Sequence, residues 1–127
     1  MPLEEVKNKM DYILTSIKKL LGIDPKYSAF DDDIIIHINT VLIILNQLGI
    51  GPAEGFQVVN GDETWDEFTT TENENMVRTF VYLKVRLMFD PPASSVLIDS
   101  INNMLAELEW RLYLEGENKA KGGDTSE

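Results

Sequence analysis

The chain has 127 residues, of which 43% are apolar and 26% charged, so it suits one globular domain with a modest core. Its 22 acidic and 11 basic residues give a formal net charge of −11, which disfavours binding to DNA phosphates and to anionic membranes. The absence of cysteine excludes disulfides, thiol catalysis and cysteine-ligated zinc. The N-terminus lacks the order of a signal peptide, and no apolar stretch is long enough to span a bilayer, so we expect a soluble protein made in the cytoplasm.

The first two predicted helices differ in how much apolar surface they carry. In the first, Val6, Met10, Ile13, Ile17 and Leu20 recur at helical spacing, and Gly22 is the predicted stop. The second begins at the three aspartates 31–33, which suit a helix N-terminus, and ends at Gly49. Residues 34–48 are apolar on nearly every face, and the main predicted stripe is Ile34, Ile38, Val41, Leu45 and Leu48. This helix therefore belongs at the centre of a bundle, partly covered by a neighbouring subunit.

Residues 53–75 are predicted to form an insertion that is either irregular or a β-hairpin. Residues 56–59 and 64–68 are the candidate strands, and Asn60-Gly61 is a turn signal between them. From Glu54 to Glu74 the chain has seven acidic residues and no basic ones. This acidic loop is either a solvated surface or a functional element.

The third predicted helix begins near Asn73 or Asn75 and ends at Phe89, before Pro91-Pro92. Arg78, Tyr82 and Arg86 recur four residues apart, with Lys84 near their flank. This basic stripe either pairs with the acidic loop, in the same chain or in a neighbouring subunit, or lies in solvent with its stems over the core.

The fourth predicted helix starts near Pro92 or at Ser94/Ser95 and carries an apolar seam at spacings of three and four, formed by Ile98, Ile101, Leu105, Leu108 and Leu112. Trp110 and Tyr113 lie outside this seam, where they either contact a partner or join the core. Residues 116–127 have no apolar anchor and are predicted to be a flexible tail. The expected fold is mainly α: a single four-helix-bundle-like domain over residues 1–115 with an insertion at 53–75.

Catalytic and cofactor signals are weak. The one histidine, His37, lies in an apolar helix without a second histidine at metal-binding spacing. Asp31, Asp32 and Asp33 lack the alternate spacing of a calcium loop, and the glycines after the second helix lack the Lys-Ser/Thr of a phosphate loop. We therefore predict no enzyme activity, no cofactor and no metal; an enzyme that holds a metal in the acidic loop is the weakest of three hypotheses.

An ordered series of segments resembles small head–tail connector proteins of tailed phages and prophages of Gram-positive bacteria. The segments are FDDDIIIHINTVLIILNQLGIGP, Thr64-Trp65 followed by Phe68, FVYLKVRLMFDPPASS and ELEWRL. The resemblance covers roughly residues 10–115, and YLKVRLMFDPP is its most distinctive part.

The resemblance implies a structural subunit that docks beneath the portal as a ring of about a dozen copies, extends the DNA channel and meets the next connector or tail-completion protein. DNA would pass through without specific binding, and the location would be the virion, after assembly in the host cytoplasm. For subunit contacts we predict Arg78, Lys84 and Arg86 against some of Asp62, Glu63, Asp66 and Glu67, with Trp110 and Tyr113 as a partner surface. The alternative is a small helical protein-binding or regulatory module without ring assembly.

Overall fold

The computed structural model describes residues 11–70 and 72–124, with side chains described as far as residue 119. It contains the helices α1 (Ile13–Leu20), α2 (Asp31–Gln47), α3 (Trp65–Phe68), α4 (Glu74–Phe89) and α5 (Ser95–Asp124). Within these ranges there is no strand, and Tyr12 and Thr64 form an isolated antiparallel bridge. The predicted mainly α fold is confirmed. Val6 and Met10, which belong to the predicted first stripe, lie outside the described residues.

α2 packs against both α1 and α4 and supplies much of the core. Four residues of the predicted stripe are buried, namely Ile34, Ile38, Val41 and Leu45, and Leu42, which lies outside that stripe, is buried with them. Leu48 is only half-buried, because it follows the last turn of the helix. The opposite face of α2 exposes Ile36 and Ile43 to solvent, so this helix keeps an apolar surface that its own chain does not cover.

α4 runs antiparallel to α2. Phe89, the last residue of α4, makes edge-to-face ring contacts with Phe30, just before α2, and with His37 in its second turn. α4 ends at Phe89 as predicted, since neither Pro91 nor Pro92 has the backbone N–H that a continuing helix needs.

The predicted hairpin is wrong, and the irregular alternative describes most of residues 53–75. The Asn39 side chain bonds both backbone groups of Val58, at 2.9 Å to its oxygen and 2.8 Å from its nitrogen, so these groups do not pair with a strand. Thr64 and Glu67 form a capping box, in which Glu67 Oε1 accepts the Thr64 N–H at 2.8 Å. This local signal starts the short helix α3 where the return strand was predicted.

α5 continues past the boundary predicted at Glu115, as far as Asp124. The predicted tail thus starts as helix, and residues 125–127 lie outside the described residues. The physical reason is Gly116: it is buried, and a β-carbon at this position would overlap the Leu48 carbonyl. A glycine here lets α5 touch the C-terminal end of α2, so the helix remains packed beyond the seam.

The predicted seam of α5 faces the bundle. Leu105 and Leu112 are buried, while Ile98, Ile101 and Leu108 are half-buried. α5 packs against α4 and has 30 residues, which corresponds to a length of about 45 Å. Such a helix outruns the 16 residues of α4 and leaves a long outer face in solvent.

Candidate interaction surfaces

The two ends of the bundle differ in chemistry. At one end, an ion pair joins the last turn of α1 to the start of α2, and α4 ends and α5 begins there. Large apolar side chains are exposed at this apolar end: Leu20, Tyr27, Phe30, Met88, Val96 and Leu97. The opposite, acidic end comprises Asp11, residues 54–70 and 72–74, and the C-terminal end of α2.

Lys18 fixes the loop at the apolar end, and the sequence analysis missed it. Its side chain is only 2% exposed, and its Nζ lies 2.7 Å from Asp31 Oδ1. The same ammonium donates to the backbone oxygens of Pro25 at 3.0 Å and Tyr27 at 2.7 Å. Two carbonyls accept hydrogen bonds from the ammonium and the Asp31 carboxylate supplies the opposite charge, so the buried charge is compensated and the 21–30 loop is held against α1.

At the acidic end, Trp65 is fully buried and anchors α3 on α1. Its Nε1 donates to Ser16 Oγ at 2.8 Å, and the Trp65 N–H donates to the Asp11 oxygen at 3.1 Å. The Ile13 N–H donates to the Glu63 backbone oxygen at 2.9 Å. The insertion is therefore docked on the N-terminal turn of α1.

Two of the four predicted acidic contact residues are used inside the loop. The Glu63 carboxylate accepts the N–H of Val59 at 2.8 Å and of Gly61 at 3.0 Å. Partial burial raises the pKa of Glu63, but these backbone hydrogen bonds together lower it below its ordinary value. Glu67 closes the capping box, whereas Asp62 and Asp66 are exposed.

Arg78 is paired within its own chain. Its guanidinium contacts Asp11, lies 2.7 Å from Glu74 Oε2 and stacks over the Trp65 ring at 5.5 Å. Burial raises the pKa of Glu74; its hydrogen bond with Asp66 and the charge of Asp11 act in the same direction and outweigh Arg78, which lowers it. Arg78 thus links α4 to the acidic end, and its partners are different from those predicted.

The other two predicted basic residues are Lys84 and Arg86, and both contact aromatic side chains. Lys84 and Arg86 make no ion pair with any residue in the described ranges. Lys84 lies over the Phe80 ring at 5.7 Å, and the Arg86 Nη1 donates to Tyr82 Oη at 3.2 Å. Residues two apart on a helix are separated by about 200°, so Lys84 and Arg86 do not share a stripe.

Trp110 and Tyr113 form an exposed platform on the outer face of α5. Their rings stack at 5.7 Å with an interplanar angle of 24°, and Trp110 is 59% exposed. Leu48, Ala106 and Glu109 complete a groove beside them, between α5 and the end of α2. Tyr113 donates to Glu117 Oε1 at 2.8 Å, and this hydrogen bond and the Glu117 charge raise the pKa of the phenol. From the sequence, Trp110 and Tyr113 were expected either to contact a partner or to join the core. In the structure they are exposed on the surface.

His37 is half-buried, and its ring lies 6.4 Å from that of Phe89. Among residues 11–70 and 72–124, no cluster of three or more histidine, aspartate or glutamate side chains is arranged to hold a metal ion. None of the helices described has the length and apolar character to cross a membrane.

Comparison with known proteins supports the sequence resemblance. Residues 13–119 match the family described as phage connector protein, which is most of the chain and extends past the predicted boundary at Glu115. No curated protein and no solved structure matches.

The chain belongs to the phage connector protein family, and its role is that of a structural head–tail connector of a bacteriophage. The Gram-positive source that the resemblance implied stays a prediction.

Proposed function

We propose that the protein assembles as a closed ring of about a dozen copies beneath the phage portal, extends the DNA channel and presents the next surface to the tail. The observation that carries this proposal is unpartnered apolar surface on different sides of one small domain. α2 exposes Ile36 and Ile43, whereas α5 exposes Met104, Trp110 and Leu114. Contacts between unlike surfaces are heterologous, and repeated around an axis they close into a ring.

The apolar end is the surface proposed to dock on the portal. Val96 is 72% exposed, and Leu97, Tyr27 and Phe30 are each about half exposed beside it. These side chains come from both the 21–30 loop and α5, so they form a broad face at one end of the bundle. Covering a face of this kind with another protein removes apolar area from water and so stabilises the assembly.

The net charge supports the channel role. With a formal charge of −11, the protein repels DNA phosphates, so DNA slides past instead of being held. The same charge argues against specific DNA recognition. We infer a non-enzymatic role, in the virion, with portal and tail proteins as partners.

The test is native mass spectrometry over a wide concentration range, with the protein alone and mixed with the portal protein of the same phage. A single closed species of about a dozen subunits, formed alone or on the portal, is the expected result. A small oligomer that persists in both samples and has no affinity for the portal would overturn the proposal.

That second result would favour a helical protein-binding module, for which the groove between α2 and α5 offers a site. An amphipathic helix of another protein would lie along the Trp110 platform in such a module. Its signature would be a stable one-to-one complex instead of a ring.

A further inference from the structure

The two arginines of α4 differ in their contacts within the described residues. Arg78 is occupied by Asp11 and Glu74. Arg86 is half-buried and contacts the Tyr82 hydroxyl, but it has no carboxylate among the described residues. A guanidinium held by a neighbouring tyrosine is pre-organised for a further contact, because less side-chain freedom is lost when it binds.

The Trp110–Tyr113 platform is chemically complementary to the Arg86 guanidinium. Both rings present an exposed aromatic surface, and Glu109 lines the groove beside them. Glu117 lies at the far edge, where it accepts the Tyr113 hydroxyl. An aromatic face next to carboxylates attracts a guanidinium through the ring quadrupole and through charge.

We infer that Arg86 of one copy docks on the Trp110–Tyr113 platform of the next copy and pairs there with Glu109. The inference rests on the proposed function and names the subunit contact within it. It replaces the predicted pairing with residues 62–67, because Glu63 and Glu67 are engaged inside that loop and Arg78 is engaged elsewhere.

The two halves of this contact do not meet within one chain. α4 and α5 are joined by a short turn and run in opposite directions, so Arg86 lies near the turn while Glu109 lies about four turns along α5. At 1.5 Å per residue, their positions along the helices differ by on the order of 15 Å. The occupant is therefore a second copy, whose opposite charge and separate surface give a heterologous contact.

The test is a charge swap followed by native mass spectrometry and sedimentation, under the conditions in which the wild-type protein assembles, with portal if it is required. Arg86→Glu and Glu109→Arg should each raise the protein concentration needed for half-assembly by about tenfold, since a desolvated cation–π and charge pair is of that size. The double variant Arg86→Glu/Glu109→Arg should recover most of the loss. Lys19→Glu makes the same charge reversal at an exposed site of α1 and should leave assembly unchanged.

A second readout uses the absence of native cysteines. The double variant Arg86→Cys/Glu109→Cys, treated with a bismaleimide linker shorter than the separation within one chain, should give a ladder of linked subunits. The matched pair Lys19→Cys/Glu109→Cys should stay monomeric on a denaturing gel. Circular dichroism confirms that each variant keeps the wild-type helix content.

The outcomes separate this contact from the proposed function. Rings that ignore the single reversals, or a double variant that does not recover, would reject the contact and leave the ring intact. Reversals that weaken portal capture but not ring formation would assign the platform to the portal instead. A wild-type protein that forms no ring with or without portal would reject both.

Discussion

The apolar end and the acidic end of the bundle each hold a loop against the helices, by opposite means. At the apolar end, one buried cation, Lys18, gathers the loop through two carbonyls and a carboxylate. At the acidic end, one buried indole, Trp65, holds the loop by donating to Ser16, and the Arg78 guanidinium lies over its ring. The first end therefore leaves its apolar side chains exposed, whereas the second places its large aromatic side chains inside and its carboxylates outside.

This difference indicates which end is free to bind. Tyr27, Val96 and Leu97 are not needed to close the core, so a partner can cover them without disturbing the fold. Many carboxylates of the acidic end are already engaged, and the pairing of Arg78 with Asp11 and Glu74 shows that they serve the fold. This comparison can be tested by replacing the residue that anchors each end, Trp65 or Lys18.

Removing Trp65 should have the largest effect. Trp65→Ala deletes a fully buried ring and leaves the Ser16 hydroxyl without its donor, so the free energy of unfolding should fall by about 3–5 kcal/mol. Urea unfolding followed by circular dichroism measures this loss. Trp110→Ala is the matched control at the exposed tryptophan and should change stability by less than about 0.5 kcal/mol. Equal losses in the two variants would contradict the placement of Trp65 as the anchor.

Removing the charge of Lys18 should have the next largest effect. Lys18→Met keeps the stem but leaves Asp31 without its counter-charge and two loop carbonyls without their donor, which should cost about 2–3 kcal/mol. Lys19→Met changes the neighbouring exposed lysine and should be close to neutral. Limited proteolysis should cut the 21–30 loop faster in the first variant only. An unchanged cleavage rate would show that the loop is held without the cation.

Gly116 tests how α5 reaches the acidic end. In an exposed helix, glycine to alanine stabilises by roughly 0.5–1 kcal/mol. Here the new β-carbon would overlap the Leu48 carbonyl, so Gly116→Ala should destabilise by about 1–3 kcal/mol, as overpacking does. Thermal unfolding gives the sign directly, with Asn103→Ala on the exposed face of the same helix as the control. Stabilisation by Gly116→Ala would mean that the helices are not in contact there.

The anchors were the hardest features to predict from the sequence. The end of α4 follows from Pro91-Pro92, and the buried face of α2 follows from spacing, because both causes are local. In the sequence, Lys18 looks like any of the several lysines between apolar positions. Its burial was not predicted because its acceptors lie in a loop whose conformation no sequence pattern indicates. From the sequence, Gly116 looks like part of a polar tail. The need for glycine there comes from the close contact with Leu48, which is far away in the sequence.

The contacts that Arg78 makes within the chain were not predicted from the sequence. Helical spacing placed Arg78 and Arg86 on one stripe, and both do lie on α4. Helical spacing alone does not predict the contact between Arg78 and Asp11. Asp11 lies near Arg78 because its backbone oxygen accepts a hydrogen bond from the N–H of the docked Trp65. The capping box Thr64-x-x-Glu67 was a readable signal against the hairpin, since it favours a helix start at the site of the proposed return strand.

The smallest expected effect concerns Glu63, whose carboxylate organises the turn at residues 59–61. Its pKa is lower in the folded protein than the ordinary value of 4.5. A lowered folded-state pKa adds stability that is present above the unfolded-state pKa and is lost as the pH falls through the folded-state pKa. The contribution should therefore be present at neutral pH and disappear in acid, below the ordinary value.

Glu63→Gln should thus lower the free energy of unfolding by about 1 kcal/mol at pH 7, a value reduced for the partial exposure of the carboxylate. At a pH below the folded-state pKa, where the carboxyl is protonated in both states, the difference from the wild-type protein should largely vanish. Thermal unfolding at the two pH values measures this, with Glu72→Gln as a control at an exposed acid of the same segment. If the loss in the free energy of unfolding stays constant with pH, Glu63 acts through its shape and not through its charge. If the loss vanishes in acid, the acidic end is held in part by an ionised carboxylate, whereas the apolar end is held by a buried cation.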